Sequence, residues 1–150
     1  MKTETATLAL GCFWYPEDVF MKTKGVVKTR VGYIGGKAKE PAYRNVCSGK
    51  TGHVEAVEIT FDPKAISYKE ILGIFWKIHD PTTKDRQGVD IGNQYNSAIF
   101  YHNQNQKEMA IKSKSELQKN TEKKILTRIR KAPRFWPAEA YHQQYYQKRG

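Results

Sequence analysis

The sequence predicts an α+β sandwich, a sheet with helices packed against one face. Three observations predict it. Period-two apolar runs recur at Val26–Ile34 and His53–Phe61, helical segments interleave loosely with the strands, and 150 residues suit one domain with one core, residues 1–150. Hydrophobic residues make up 39% of the chain and charged residues 27%, a balance that excludes wholesale disorder. No stretch approaches the length of a membrane span.

The run Thr5–Leu10 reads as a buried strand, and Pro16, Glu17 and Asp18 read as the first turn of a helix. Cys12 falls between them, near the positive end of a helix dipole. Such a position is expected to lower a thiol's pKa and raise its thiolate fraction. Phe13 and Trp14 follow at once, enough to wall an apolar pocket beside the sulfur. The alternative is a small buried cysteine at a tight turn. Gly25 marks the end of this helix. Val26–Ile34 is the next strand, with Val27, Thr29, Val31 and Tyr33 expected on one face. Gly35-Gly36 ends it and opens a long polar loop, residues 35–52, whose length in a small domain points to function.

His53–Phe61 is a strand whose phase matters. Glu55, Val57, Ile59 and Phe61 share one face by period two. A carboxyl among three large apolar residues is partly buried, and burial raises its pKa. It would then be protonated near neutral pH, as a tuned general acid is. The alternative is a strand-end Glu that reaches water or pairs with a Lys. Ser67-x-x-Glu70 is a capping box opening a helix to about Ile78, with Ile71, Leu72, Phe75 and Trp76 as its apolar face, and Asp80-Pro81 closes it. Residues 82–96 read as a second loop carrying Asp85, Gly88, Asp90, Gly92 and Tyr95. Ser97–Tyr101 is a short strand, Asn103–Asn120 a Lys-rich helix, and Lys124–Arg130 an exposed alternating strand. The chain finishes with Phe135–Glu139 and a Tyr/His/Gln-rich last helix.

The net charge is +11, and residues 107–134 hold ten Lys/Arg against three Asp/Glu. A nucleic-acid footprint is one reading. A solvated helix face followed by an exposed strand is the other and is preferred, because no RNP-like aromatic run or Gly-rich nucleic-acid loop accompanies the charge. Two cysteines, Cys12 and Cys47, do not make a disulfide scaffold. His53, His79, His102 and His142 are scattered without HxxxH spacing, and no CxxC pair is present, so no metal site is expected. The segment before Cys12 has the look of a short lipoprotein signal, but Glu4 interrupts it and the apolar stretch is too short. A cytoplasmic protein with reduced thiols is the expectation.

Taken together, these residues carry a resemblance. Gly11-Cys12-Phe13-Trp14 followed by Glu17 resembles the signature of the class A methionine sulfoxide reductases. Gly32-Tyr33-Ile34-Gly35-Gly36, Pro41–Gly49 and Thr51–Val57 match in order, as do Phe75-Trp76, His79-Asp80-Pro81, Arg86-Gln87-Gly88, Asp90 and Gly92–Tyr95. Ala138-Glu139 with His142-Gln143 closes the set, which spans nearly the whole chain. The resemblance implies a ferredoxin-like two-layer fold with a mixed sheet. It also implies reduction of methionine-S-sulfoxide, free or in proteins, hence repair of oxidised proteins. It implies that Cys12 is the nucleophile and Glu55 the acid that protonates the sulfoxide oxygen. Tyr43 and Tyr95 would hold that oxygen, Asp90 would contact substrate or water, and Phe13 and Trp14 would form the pocket for the S-methyl group. No metal or bound organic cofactor is implied.

Many members of that family carry resolving cysteines in a Gly-rich C-terminal tail, whereas no cysteine follows Cys47 here. The expected cycle therefore leaves a Cys12 sulfenic acid cleared by an external thiol, a thioredoxin- or glutaredoxin-like reductant. Cys47 is expected to be a buried or semi-buried structural cysteine rather than a resolver. Val89 and Ile91 flank Asp90 where relatives often carry polar or basic residues. Two rivals stand beside this reading. One is a basic nucleic-acid-binding α+β domain using residues 107–134, and the other is a thiol redox sensor without turnover.

Overall fold

A computed structural model describes residues 2–149. In chain order the elements are β1 (Glu4–Ala9), α1 (Trp14–Met21), β2 (Val26–Ile34), α2 (Tyr43–Cys47), β3 (Val54–Phe61), α3 (Tyr68–Lys77), β4 (Arg86–Gln87) and β5 (Asp90–Ile91). They continue with β6 (Ala98–Tyr101), α4 (Gln104–Lys119), β7 (Arg128–Lys131), β8 (Trp136–Pro137) and α5 (Tyr145–Arg149). Six strands make one sheet in the order β7-β6-β1-β3-β2-β8.

The four central strands, β6-β1-β3-β2, pair antiparallel throughout. β1 and β2 therefore run the same way with β3 between them, and α1 connects them. β3 and β6 likewise run the same way with β1 between them, and α3 lies in that connection. Two such interlocked split crossovers make the ferredoxin-like sandwich expected from the resemblance. β7 joins parallel to β6 at one edge, so the sheet is mixed.

The helices lie on one face of the sheet. Leu8, Val31, Val57 and Ile59 are buried there with Phe20, Ile71, Leu72 and Phe75 of α1 and α3, and Ala110 of α4. The alternate positions Ala9, Ile34, Ala56, Ala98 and Phe100 form a smaller cluster. The phase expected for β3 holds, with Glu55, Val57, Ile59 and Phe61 all buried. On the other face Glu58 accepts a hydrogen bond from Arg30 Nε across the β2–β3 pair at 2.6 Å. The capping box of α3 is formed: Ser67 Oγ accepts from Glu70 N–H at 3.0 Å, and Glu70 Oε1 accepts from Ser67 N–H at 3.2 Å.

Four expectations need correction. Val27 is 51% exposed, because a register shift between Val26 and Lys28 takes it out of phase with Thr29, Val31 and Tyr33. Both long loops contain structure: residues 35–52 hold α2, and residues 82–96 hold the β4–β5 hairpin and a 3-10 turn at Asn93–Tyr95. Lys124–Arg130 is not an exposed strand throughout. Only Arg128–Lys131 pairs, while Ile125 and Thr127 are buried in extended chain tied to Pro81 by the Leu126 N–H. The last helix is short, because Trp136-Pro137 pairs with β2 and a 3-10 turn at Ala140–His142 precedes α5.

Candidate active site

Cys12 is delivered by the turn between β1 and α1. Gly11 adopts φ +99°, and a Cβ there would stand 2.7 Å from Gln87 Cγ, so the turn needs glycine. Phe13 is the N-cap of α1, and its backbone N–H donates to Glu55 Oε1 at 3.2 Å. That bond brings the start of β3 against the residue after Cys12. Glu55 is 1% exposed, and its second oxygen, Oε2, has no hydrogen-bond partner among the described residues. Burial pushes its carboxyl up to about 8, opposed by the Phe13 N–H and helped by the charge of Asp90. Glu55 neither reaches water nor pairs with a cation, which removes the alternative left open by its strand phase.

The helix start was expected to lower the Cys12 pKa. Instead the thiol is pushed up to about 12. Burial is the main cause, and the charges of Glu55, Asp90 and Cys47 add to it, while the Trp14 N–H beside the sulfur pulls the other way. One short helix cannot offset desolvation beside two carboxyl groups. The resting thiol is therefore protonated at neutral pH.

The two phenols arrive from separate elements. Tyr43 is the first residue of α2, and Tyr95 ends the 3-10 turn Asn93–Tyr95. Burial pushes the Tyr95 hydroxyl up to about 12, with Glu55, Cys47 and Cys12 adding to the effect. Burial also pushes Tyr43 up, with Cys47, Tyr95 and Glu55 contributing. Both phenols keep their protons and stand as donors near the Glu55 carboxyl. Asp90 sits in β5 opposite Gln87 of β4, within electrostatic reach of Cys12 and Glu55.

Phe13 is fully buried, its ring centroid 5.8 Å from Tyr33 and 5.2 Å from His142. Trp14 is half-buried, stacks on Tyr145 at 3.7 Å and donates from Nε1 to His142 Nδ1 at 3.0 Å. The fold thus brings Cys12, Tyr43, Asp90 and Tyr95 within electrostatic reach of Glu55, while Phe13 and Trp14 pack their rings against His142. Cys47 departs from expectation. It is exposed, at the end of α2, one turn from Tyr43 and near Gln94. His53 is a loop hydrogen-bonder, accepting the Gly36 N–H at Nδ1 (3.0 Å) and meeting the Ala38 carbonyl through Nε2 (2.6 Å).

Sequence reasoning assigned no task to Tyr33, Glu139 or His142, although all three fall in family-like segments. Glu139 accepts from Tyr33 Oη at 2.8 Å and from the Tyr43 N–H at 3.0 Å, and His142 packs on Tyr43, Phe13 and Trp14. Their contacts cross about a hundred residues of chain, which no local pattern encodes. Glu17 is buried and accepts from Thr29 Oγ1 (2.8 Å), Gln144 N–H (2.7 Å) and Gln144 Nε2 (3.0 Å), fastening the C-terminal segment to α1. Among the described residues no cluster of His, Cys, Asp or Glu could hold a metal ion, and no helix is long and apolar enough to cross a membrane. A cavity of about 270 Å³ lined by Phe100, Arg128 and Arg130 contains none of the site residues.

The arrangement sets a thiol beside proton-holding groups and an aromatic wall. It can protonate an oxygen while sulfur attacks its neighbour. The family model for peptide methionine sulfoxide reductase matches residues 4–150. The peptide methionine sulfoxide reductase MsrA of Methanosarcina acetivorans is 56% identical over 98% of this chain and 79% of its own length. Reduced Mxr1 of Saccharomyces cerevisiae superposes with a TM-score of 0.93 at 37% identity, over 98% of this chain and 86% of its own. Mxr1 in complex with Trx2 gives a TM-score of 0.69 at 28% identity, over 96% and 85%.

Proposed function

The chain belongs to the peptide methionine sulfoxide reductase family, and on that premise we propose how its residues reduce methionine-S-sulfoxide, free or in proteins. One observation carries the reading. Glu55 is buried, held near pKa 8, bonded through Oε1 to the residue after Cys12, and left with Oε2 unpartnered among the described residues. A sulfoxide oxygen is a poor leaving group until protonated, and a neutral carboxyl with an open oxygen supplies that proton.

Tyr43 and Tyr95 hold the sulfoxide oxygen, Trp14 and Phe13 receive the S-methyl group, and Asp90 orients substrate or water. The Cys12 thiol resists ionisation at rest, so its proton leaves as its sulfur bonds to the sulfoxide sulfur, whose partial positive charge compensates the burial. Glu55 protonates the departing oxygen and is reprotonated by the proton from Cys12. The sulfur–oxygen bond of the substrate breaks, water is lost from the adduct, and water returns to the Cys12 sulfur. Methionine leaves, and Cys12 is oxidised to the sulfenic acid. Two external thiols then reduce it, giving their disulfide and water. The Mxr1–Trx2 complex supports a thioredoxin-type donor, and a glutaredoxin-like donor fits the same chemistry. Both cysteines are unbridged, which suits a reducing compartment such as the cytoplasm.

The test is turnover of separated S and R epimers of methionine sulfoxide with a dithiol, comparing the wild type with Cys12→Ser. Consumption of the S epimer alone, abolished by the substitution, is expected. A fully reduced wild-type protein that turned over neither epimer would refute the reading and revive the sensor alternative.

A further inference from the structure

We propose that Glu139 is a positioning residue, a strut that holds the N-terminus of α2 and with it the Tyr43 phenol in the active site. The proposal rests on the reading that Tyr43 holds the sulfoxide oxygen.

α2 is five residues long and has no cap of its own. Ala42 precedes it, offering no side chain to the first N–H groups. Only Val46 of this helix is buried. Locally, only Val46 in the core and a hydrogen bond between the Tyr43 hydroxyl and the Cys47 side chain one turn on hold Tyr43, and neither reaches its backbone N–H. Glu139 supplies the missing acceptor from 96 residues away, its Oε2 taking the Tyr43 N–H at 3.0 Å. A carboxylate at a helix N-terminus also meets the positive end of the dipole. Its other oxygen takes the hydroxyl of Tyr33, a fully buried residue near the C-terminal end of β2, at 2.8 Å.

The strut has a firm footing. The Ala138 N–H donates to Val31 O at 2.9 Å. The Gln143 amide closes on the same β2 residue, accepting from Val31 N–H at 2.8 Å and donating to Val31 O at 2.9 Å and Ala138 O at 3.0 Å. Glu139 lies between these two anchors. Burial pushes its carboxyl up, but the bonds from Tyr43 N–H, its own backbone N–H and the Tyr33 hydroxyl outweigh that and hold it below the usual range. The carboxylate is thus ionised, and it joins a rigid strand to a helix whose one buried residue is Val46.

The experiment is a double-mutant cycle read on kcat, KM and Tm. Glu139→Ala should lower kcat about tenfold or more, since displacement of a substrate-holding group by about 1 Å is costly, while Tm moves little because α2 adds little to the core. In a Tyr43→Phe background the same substitution should cost nothing further, because the strut acts through a phenol already gone. Glu139→Gln should retain most of kcat, its amide oxygen taking the Tyr43 N–H while its NH2 donates to a rotated Tyr33 hydroxyl. Losses that multiply between Glu139→Ala and Tyr43→Phe overturn the proposal, as does activity lost only in proportion to folded protein. If Tyr43→Phe impairs turnover and Glu139→Ala does not, the strut alone falls. If Tyr43→Phe is silent, its premise falls with it. Should the alanine variant not fold, Tyr33→Phe removes one brace and should give a smaller kcat loss, again absent without the Tyr43 hydroxyl.

Discussion

Burial of Glu55 has opposite consequences for rate and for stability. The proposed acid works only when protonated, so turnover should fall as pH rises through about 8. The stability sign follows from linkage. The folded carboxyl holds its proton up to about 8, and the unfolded one loses it near 4.5. The folded state binds more protons in that window, so a cost appears above pH 4.5 and is complete above 8. Glu55→Gln should therefore abolish most turnover yet raise Tm, with the gap widening from about pH 5 to about pH 8 and reaching at most about 3 kcal/mol near pH 7. Thermal melts across pH, beside single-turnover rates, check both. The phase of Glu55 was legible in period two, but its full burial was not, because a strand-end Glu that reaches water or pairs with a Lys fits the same phase. The thiol's direction was not. It is set by desolvation and by carboxyl groups from β3 and β5, which local sequence around Cys12 does not reveal.

At the scale of elements, two devices separate what a pattern shows from what it hides. The capping box of α3 was readable because its donors and acceptors lie three residues apart. Ser67→Ala should cost about 1 kcal/mol in denaturant melts and leave turnover unchanged. The β2–β8 seam was hidden, because a two-residue strand ending in proline carries no periodicity. It depends on Gly32, where a Cβ would come within 2.3 Å of Trp136 O and 2.6 Å of the Phe135 ring. Gly32→Ala should force β8 off the edge, lowering stability by roughly 1–3 kcal/mol, with a shift in Trp fluorescence as the check. α2 was hidden too, because its N-terminal N–H is met by Glu139, 96 residues away, rather than by a neighbour. Val27 was misplaced because a bulge leaves no mark in an otherwise regular run.

For the whole molecule, the layered α+β plan was legible from interleaved periods, and the split crossover only through the family-like order of motifs. The basic stretch was not fully so. Part of it has structural work: Lys114 Nζ donates to Thr127 O at 2.8 Å, Arg130 to Gly35 O at 3.2 Å, and Arg134 lies 4.0 Å over the Trp136 ring. Arg128, Arg130 and Lys131 also charge the outer strand of the sheet, which discourages sheet-to-sheet pairing. A net charge of +11 still creates a long-range field. Raising salt from about 50 to about 300 mM should raise KM for a negatively charged protein reductant about threefold or more, while turnover of free methionine sulfoxide with a small neutral dithiol stays flat. The bonds that tie Glu139 and His142 to Tyr43 and Trp14 span 96 and 128 residues of chain. Around them α2 buries only Val46, and α5, stacked on Trp14 through Tyr145, buries no residue, and elements with so few buried side chains open before the core does. On warming, the catalytic corner should therefore melt before the sheet does, so that heat silences the enzyme at temperatures where its circular dichroism still reads as native, and cooling restores it without refolding.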